Sequence, residues 1–347
     1  MSEQIFEWAI VGAGPAGIAA VGKLIDAGVK PTSILWIDEE FNVGDLGRFW
    51  QNVSSNTTVK LFTRFLEAAS SFSYRNAPDF PLNHMPPEKT CALSAIVEPL
   101  QWVSEHLCKK VHIEETRIQR MALTKRFWSL DSKTAAYHAK NVILATGAIP
   151  LSLDYPTIPT IAFETAIDKH QLAKAIKPEE TYAVFGSSHS AMMIIQHLVE
   201  QKVKKIINVY RSPCSYAVDM GDWILFDNTG LKGNTAAWAK EHIDGALPAN
   251  LVRCVCDEEQ TKDVLSQCDK AIYAVGFTPR DTIKIEGYDH KHYNPHVGII
   301  GPGLFGLGIG FPEIKADPFG NIEARVGLWK FMDYLNTVLP LWFKYPT

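Results

Sequence analysis

No two of the six cysteines in this 347-residue chain stand in a C-x-x-C, which removes the usual spacing of a redox dithiol or a zinc ribbon. Cys254 and Cys256 are one residue apart and read as small apolar side chains on one face of a strand. The histidines are scattered, with no H-E-x-x-H and no paired Cys/His ligands, so no metal is expected. No apolar run approaches the ~18 residues of a spanning helix, so no membrane insertion is expected. The first strand begins within a few residues of Met1, without the basic segment, apolar core and cleavage site of a signal peptide. A reducing, cytoplasmic setting is therefore expected. Nor is there an excess of charge. With 34 basic and 38 acidic residues the formal net charge is −4, which offers no general attraction to nucleic acid or anionic lipid.

What the chain does have is length for two cores, since one core rarely grows past about 250–300 residues, and an apolar content of 46% to fill them. It also has Ile10-Val-Gly-Ala-Gly-Pro-Ala-Gly17, preceded by an apolar run and followed by an Ala-rich helical stretch, Ile18–Ala27. Strand, tight turn and helix in that order are what a G-x-G-x-x-G needs. Gly12 permits the turn, Gly14 lets backbone approach a pyrophosphate, and Gly17 lets helix and strand pack closely. The helix N-terminus, opening at Pro15 and Ala16, presents free N–H groups and a positive dipole end to phosphate. A second strand, Ile34–Ile37, runs into Asp38 and Glu39. Asp38 lies about 20 residues past the last glycine, where an acid accepts hydrogen bonds from a ribose. These residues predict a dinucleotide site.

The loop after Asp38 carries Trp50 and Asn56, which are placed to face a bound cofactor, with simple packing the alternative for Trp50. Val59–Pro87, with four prolines between Pro78 and Pro87, reads as a long irregular surface excursion. Ser94–Leu107 has helical spacing, and the short runs from Lys110 to Ser132 read as a small hairpin layer. A buried strand then ends in the small-residue turn Ala145-Thr146-Gly147, and the proline-bearing segment Ile149–Pro159 reads as a linker.

A second strand–turn–helix–strand unit follows: Tyr182–Phe185, Gly186-Ser-Ser-His-Ser-Ala191, Met192–Glu200 and Lys205–Tyr210. Ser188 stands in the slot of the second glycine and Ala191 in that of the third. Ser188 adds a side chain where backbone should meet pyrophosphate. Arg211 suits a ribose 2′-phosphate, which favours NADPH over NADH. His189 reads as a solvent-side residue of the helix start, and no catalytic acid or base is assigned. Ser212–Asp244 reads as a second loop-rich excursion with a helix at Thr235–His242. Ala274-Val-Gly276-Phe-Thr-Pro279 closes the unit, and glycines recur at 301, 303, 306, 308 and 310.

Together these motifs resemble the two-dinucleotide-domain flavoproteins, the superfamily of thioredoxin-reductase-like and flavin-monooxygenase-like enzymes. The resemblance implies an α/β fold of two Rossmann-like, three-layer domains, with the NADP domain inserted into the FAD domain. Residues 1–152, completed by 286–347, would hold FAD, and 153–285 would hold NAD(P). It places Gly47, Trp50, Asn56, Ala145, Thr146, Gly147, Gly306 and Gly308 at the flavin. Gly186, Ser187, Ser188, His189, Ser190, Arg211, Ala274 and Gly276 would lie at NADPH. Without a C-x-x-C, relay through a protein disulfide is excluded. Phe163–His170 departs from the F-x-G-x-x-x-H of the monooxygenases, with Thr165 in place of glycine and its histidine one position late. The implied activity is an FAD-dependent, NADPH-using oxidoreductase, monooxygenase-like, on a small organic substrate. The alternatives are a flavin reductase serving a protein acceptor and a flavin-binding redox sensor with a disabled NADP domain. A homodimer is compatible with all three.

Overall fold

The computed structural model describes residues 4–153, 155 and 158–346; Asp154, Pro156 and Thr157 of the expected linker lie outside the described residues. Its first sheet is organised on β1 (Ile5–Val11), which pairs in parallel on both edges. Trp8–Val11 pair with Ile34–Ile37 of β2 (Ile34–Asp38) on one side and with Asn141–Leu144 on the other. A parallel strand covered on both faces needs continuous apolar sequence, and Trp8–Val11 and Ile34–Ile37 are all buried.

The hairpin layer expected over 110–132 needs correction. Arg120–Thr124 and Phe127–Asp131 do pair as a hairpin. His112–Glu115 instead extends the parallel array beyond β2, a partnership that local spacing does not encode. The nine-residue strand Ala136–Leu144 serves two neighbours along one edge. Its first half pairs antiparallel with Phe127–Asp131, and its end pairs in parallel with Leu304–Gly306. The chain re-enters this sheet at Lys284–Ile285, against Arg120 and Met121, two residues ahead of the expected boundary at 286.

Helix α1 (Pro15–Asp26) lies on one face with the helices Ser94–Cys108 and Leu328–Trp342, burying Ile18, Val21 and Leu24 in a shared core. Through that core run the stacked rings of Trp8, Phe305 and Trp342, 5.8 and 4.7 Å apart. The hairpin and the segment around Ile283–Tyr293 cover the other face, over Val11, Ile37 and Leu144.

The excursion Val59–Pro87 is neither irregular throughout nor confined to the surface. Val59–Leu66 is a helix that buries Val59, Phe62, Phe65 and Leu66, and Phe72 is buried with them. Its aromatic residues fill the α1 core, so burial outweighs the proline-rich context that follows.

A second, four-stranded parallel sheet has the order Leu251–Cys254, Lys205–Val209, Thr181–Phe185, Lys270–Tyr273. Helices His189–Glu200 and Glu258–Ser266 lie on its opposite faces, each with its own apolar core. The strand holding Cys254 stops there, and Cys256 Sγ lies 2.9 Å from Cys254 Sγ, both half-buried. An antiparallel ribbon, Ala148–Pro150 against Phe277–Pro279, crosses between the sheets. A hairpin, Glu313–Ala316 with Ile322–Arg325, reaches across to the excursion at 212–244. There the buried Glu323 accepts hydrogen bonds from the backbone N–H groups of Asn228 and Thr229. Among the described residues no helix is long and apolar enough to cross a membrane.

Candidate functional site

The turn after β1 is held by its own backbone. Gly12 has φ of +116°, and a Cβ there would overlap the Ala145 carbonyl. Its N–H donates to Ile37 O at 2.8 Å, and Trp36 Nε1 donates to its carbonyl at 3.0 Å. Gly17 packs against that same carbonyl. At Gly14 the nearest obstacle to a Cβ is Val43 O, 3.9 Å away, and no side chain caps α1. The uncapped N-terminus opens into a cavity of about 310 Å³, within the usual size of a small-molecule site.

Asp38 lines this cleft at the end of β2. It accepts from Ala13 N at 2.6 Å and Glu40 N at 2.9 Å. Burial pushes its pKa up, and these two N–H groups hold it back. Asp45 is raised by burial as well, opposed chiefly by Arg280. Trp50 forms an aromatic cluster with Phe163 and Phe277, ring centroids 5.7 and 6.4 Å away.

Of the residues expected at the first site, Gly12, Gly14, Pro15, Ala16, Asp38, Glu39, Trp50, Ala145, Thr146, Gly147 and Gly308 line the cleft together. Gly17, Gly47 and Gly306 do not line it. They are packing positions, against Gly12, the Asn42 carbonyl and the Phe311 ring respectively. Asn56 is exposed on the strand Ser54–Thr58, away from the lining. Asp45, Arg48, Arg117, Phe277 and Arg280 also line it, beyond what the sequence motifs indicate. Arg280 follows the Gly276-Phe-Thr-Pro279 turn directly, which is its one signal in the sequence.

The second turn repeats the hydrogen bonds made at Gly12. Gly186 also has φ of +116°, a Cβ on it would overlap the Ala274 carbonyl, and its N–H donates to Val209 O at 2.9 Å. Asn208 Nδ2 donates to its carbonyl at 2.8 Å, as Trp36 does at Gly12. This register makes Tyr210 the counterpart of Asp38. Arg211 is one residue further on and exposed, past a strand that ends at Val209. Arg253 stacks on Tyr210 at 4.2 Å. Gly186, Ser187, Ser188, His189, Ser190, Arg211, Ala274 and Gly276 do not line the first cleft. Ser188 is the exposed N-cap of the helix His189–Glu200 and makes no capping bond.

His189 is not solvent-side. Both ring nitrogens are buried without a hydrogen-bond partner, and burial, aided by Lys232, lowers its pKa to about 4. His197 is lowered as well. Below the usual value near 6.5 the unfolded chain takes up protons that the folded one refuses, so stability falls as pH drops from about 6.5 towards 4. His189→Gln should flatten that loss, seen as a smaller gap between urea midpoints at pH 7 and pH 5; an unchanged gap would contradict the buried neutral ring. Among the described residues no group of three or more His, Cys, Asp or Glu is arranged to hold a metal.

Residues 9–292 match the family described as pyridine nucleotide-disulphide oxidoreductase. A curated relative, the monooxygenase AgnR1 of Paecilomyces divaricatus, is 30% identical, covering 96% of this chain and 97% of that protein. Among solved structures, the flavin-containing monooxygenase from Stenotrophomonas maltophilia is 14% identical with a TM-score of 0.62, covering 98% of each chain. Thioredoxin reductase from Lactococcus lactis is 12% identical with a TM-score of 0.58, again over 98% of each chain. These two likenesses show the fold.

Proposed function

We propose that this chain, an oxidoreductase of the pyridine nucleotide-disulphide oxidoreductase family with FAD and NADPH as cofactors, acts as a monooxygenase on a small organic substrate. The observation that carries this reading is the pair of matching turns, of which the first opens into the 310 Å³ cleft. The cleft fits a flavin dinucleotide. An uncapped helix start faces open space at Gly14, and Asp38 stands at the end of β2.

The N–H groups of α1 would hold the pyrophosphate and Asp38 a ribose. Gly147, Gly308 and Trp50 would bound the remaining length. When bound, FAD supplies hydride acceptance and the chemistry with O₂; the protein supplies orientation and control of solvent. The second turn, Gly186–Ser190, would receive NADPH, with Arg211 on its 2′-phosphate. The relative's designation as a monooxygenase supports oxygen as the acceptor. So does the lack of a C-x-x-C to carry electrons onward.

The purified protein should be yellow and should bleach under NADPH without oxygen, then recolour on aeration faster when its substrate is present. A colourless protein that takes up no FAD would sink the reading. Bound flavin bleached by neither NADPH nor NADH would favour the sensor. In Arg211→Ala, KM for NADPH should rise about tenfold, the loss of one charge-assisted bidentate contact, with NADH unaffected. Equal loss for both nucleotides would remove Arg211 from the phosphate site.

A further inference from the structure

Two charged side chains of the cleft wall meet although 235 positions separate them in sequence. Arg280 Nη2 donates to Asp45 Oδ2 at 2.6 Å, and the two side chains are only 28% and 24% exposed. The backbone is pinned here too, since Arg280 N donates to Gly147 O at 3.2 Å. Arg280 Nε is buried and has no acceptor in the protein. The other guanidiniums of the wall are differently placed. Arg48 pairs with Glu40 and Arg117 lies 3.9 Å from Glu39, at 37% and 50% exposure. Arg280 is therefore the least exposed cation of these three, and its buried Nε–H has no acceptor in the protein.

We propose that the Asp45–Arg280 pair sets the electron affinity of the bound flavin, the guanidinium favouring the electron-rich state and the carboxylate opposing it. The proposal rests on the flavin reading above. Hydride transfer moves two electrons and one proton: NADPH leaves as NADP⁺, and the flavin, neutral when oxidised, is left with one added negative charge. A fixed cation in a half-buried wall stabilises that charge more than the same cation in water. An anion beside it offsets part of the effect. Two opposite charges acting on one centre predict mutational effects of opposite sign, which a shared loss of packing would not produce.

The experiment is the midpoint potential of the bound flavin, read by equilibration against a reference dye. Arg280→Met should disfavour reduction tenfold or more, about 30 mV for a two-electron couple. Asp45→Asn should favour it, and the double variant should return to within threefold of the parent. Arg280→Lys should also stay within threefold. If lysine behaves like methionine, the effect is one of packing and the charge argument falls. Shifts of the same sign in Arg280→Met and Asp45→Asn, or shifts below twofold in both, overturn the proposal. Should Arg280→Met lose its flavin or fail to fold, the sign of the Asp45→Asn shift decides alone. A parent protein that holds no flavin overturns the underlying reading and this proposal with it.

Discussion

Gly14→Asp should give a colourless protein that folds as well as the parent. Gly14 is the N-cap of α1, at φ −74° and ψ −178°, extended backbone open to any residue. A Cβ there meets nothing nearer than 3.9 Å. Asp is among the preferred N-caps, commonly worth about 0.5–2 kcal/mol over a residue that cannot cap, and its charge suits the helix dipole. The gain over glycine, itself a tolerated cap, is a few tenths of a kcal/mol. Yet the carboxylate would occupy the N–H groups and the space assigned to pyrophosphate, and would repel it. The urea midpoint of the apoprotein should hold or rise, while flavin retained after dialysis, read as the 450 to 280 nm absorbance ratio, should fall at least a hundredfold. A variant that stays yellow would move the pyrophosphate elsewhere.

Glu323→Leu should be strongly destabilising, although Glu323 does not line the cleft. Glu323 is 6% exposed and accepts from Asn228 N at 3.2 Å, Asn228 Nδ2 at 3.1 Å, Thr229 N at 3.0 Å and the Thr229 hydroxyl. Leucine leaves two backbone donors without an acceptor, each costing about 1–3 kcal/mol if water does not reach it. The expected loss is about 3–4 kcal/mol in urea unfolding. Because these bonds tie the excursion at 212–244 to the hairpin at 313–325, limited proteolysis should also move into residues 212–232. Glu323→Gln, which keeps one strong acceptor, should fall between. Parent-like stability in Glu323→Leu would mean that the loop finds other acceptors.

The parts of this protein legible in its sequence are those whose signal is local. Gly12 and Gly186 are readable because a left-handed turn between a strand and a helix admits little but glycine. Asp38 is readable because strand length fixes its place. Long-range partnerships are not. Nothing near Asp45 announces Arg280, and nothing near His112 announces β2. The Val59–Leu66 helix has a readable pattern, with Val59, Phe62 and Leu66 at helical spacing, but the prolines from Pro78 onward mask it with a loop signal. The burial of His189 is not legible, because a helix's first residue is usually wet. Here burial leaves its ring unpaired instead.

The last helix, Leu328–Trp342, packs on α1, and Leu304–Gly306 pairs with the strand that pairs with β1. About 300 residues separate α1 from that helix, roughly 15–60 s of synthesis on the ribosome. During this time the emerging first sheet has an open edge and α1 an uncovered flank. The second sheet draws its strands from one continuous stretch, 181–273, and can close while the first still waits. Flavin is therefore expected to enter late, after the final helix has emerged. Chains stalled before residue 328 should be trapped as colourless species with only the inner unit resistant to protease.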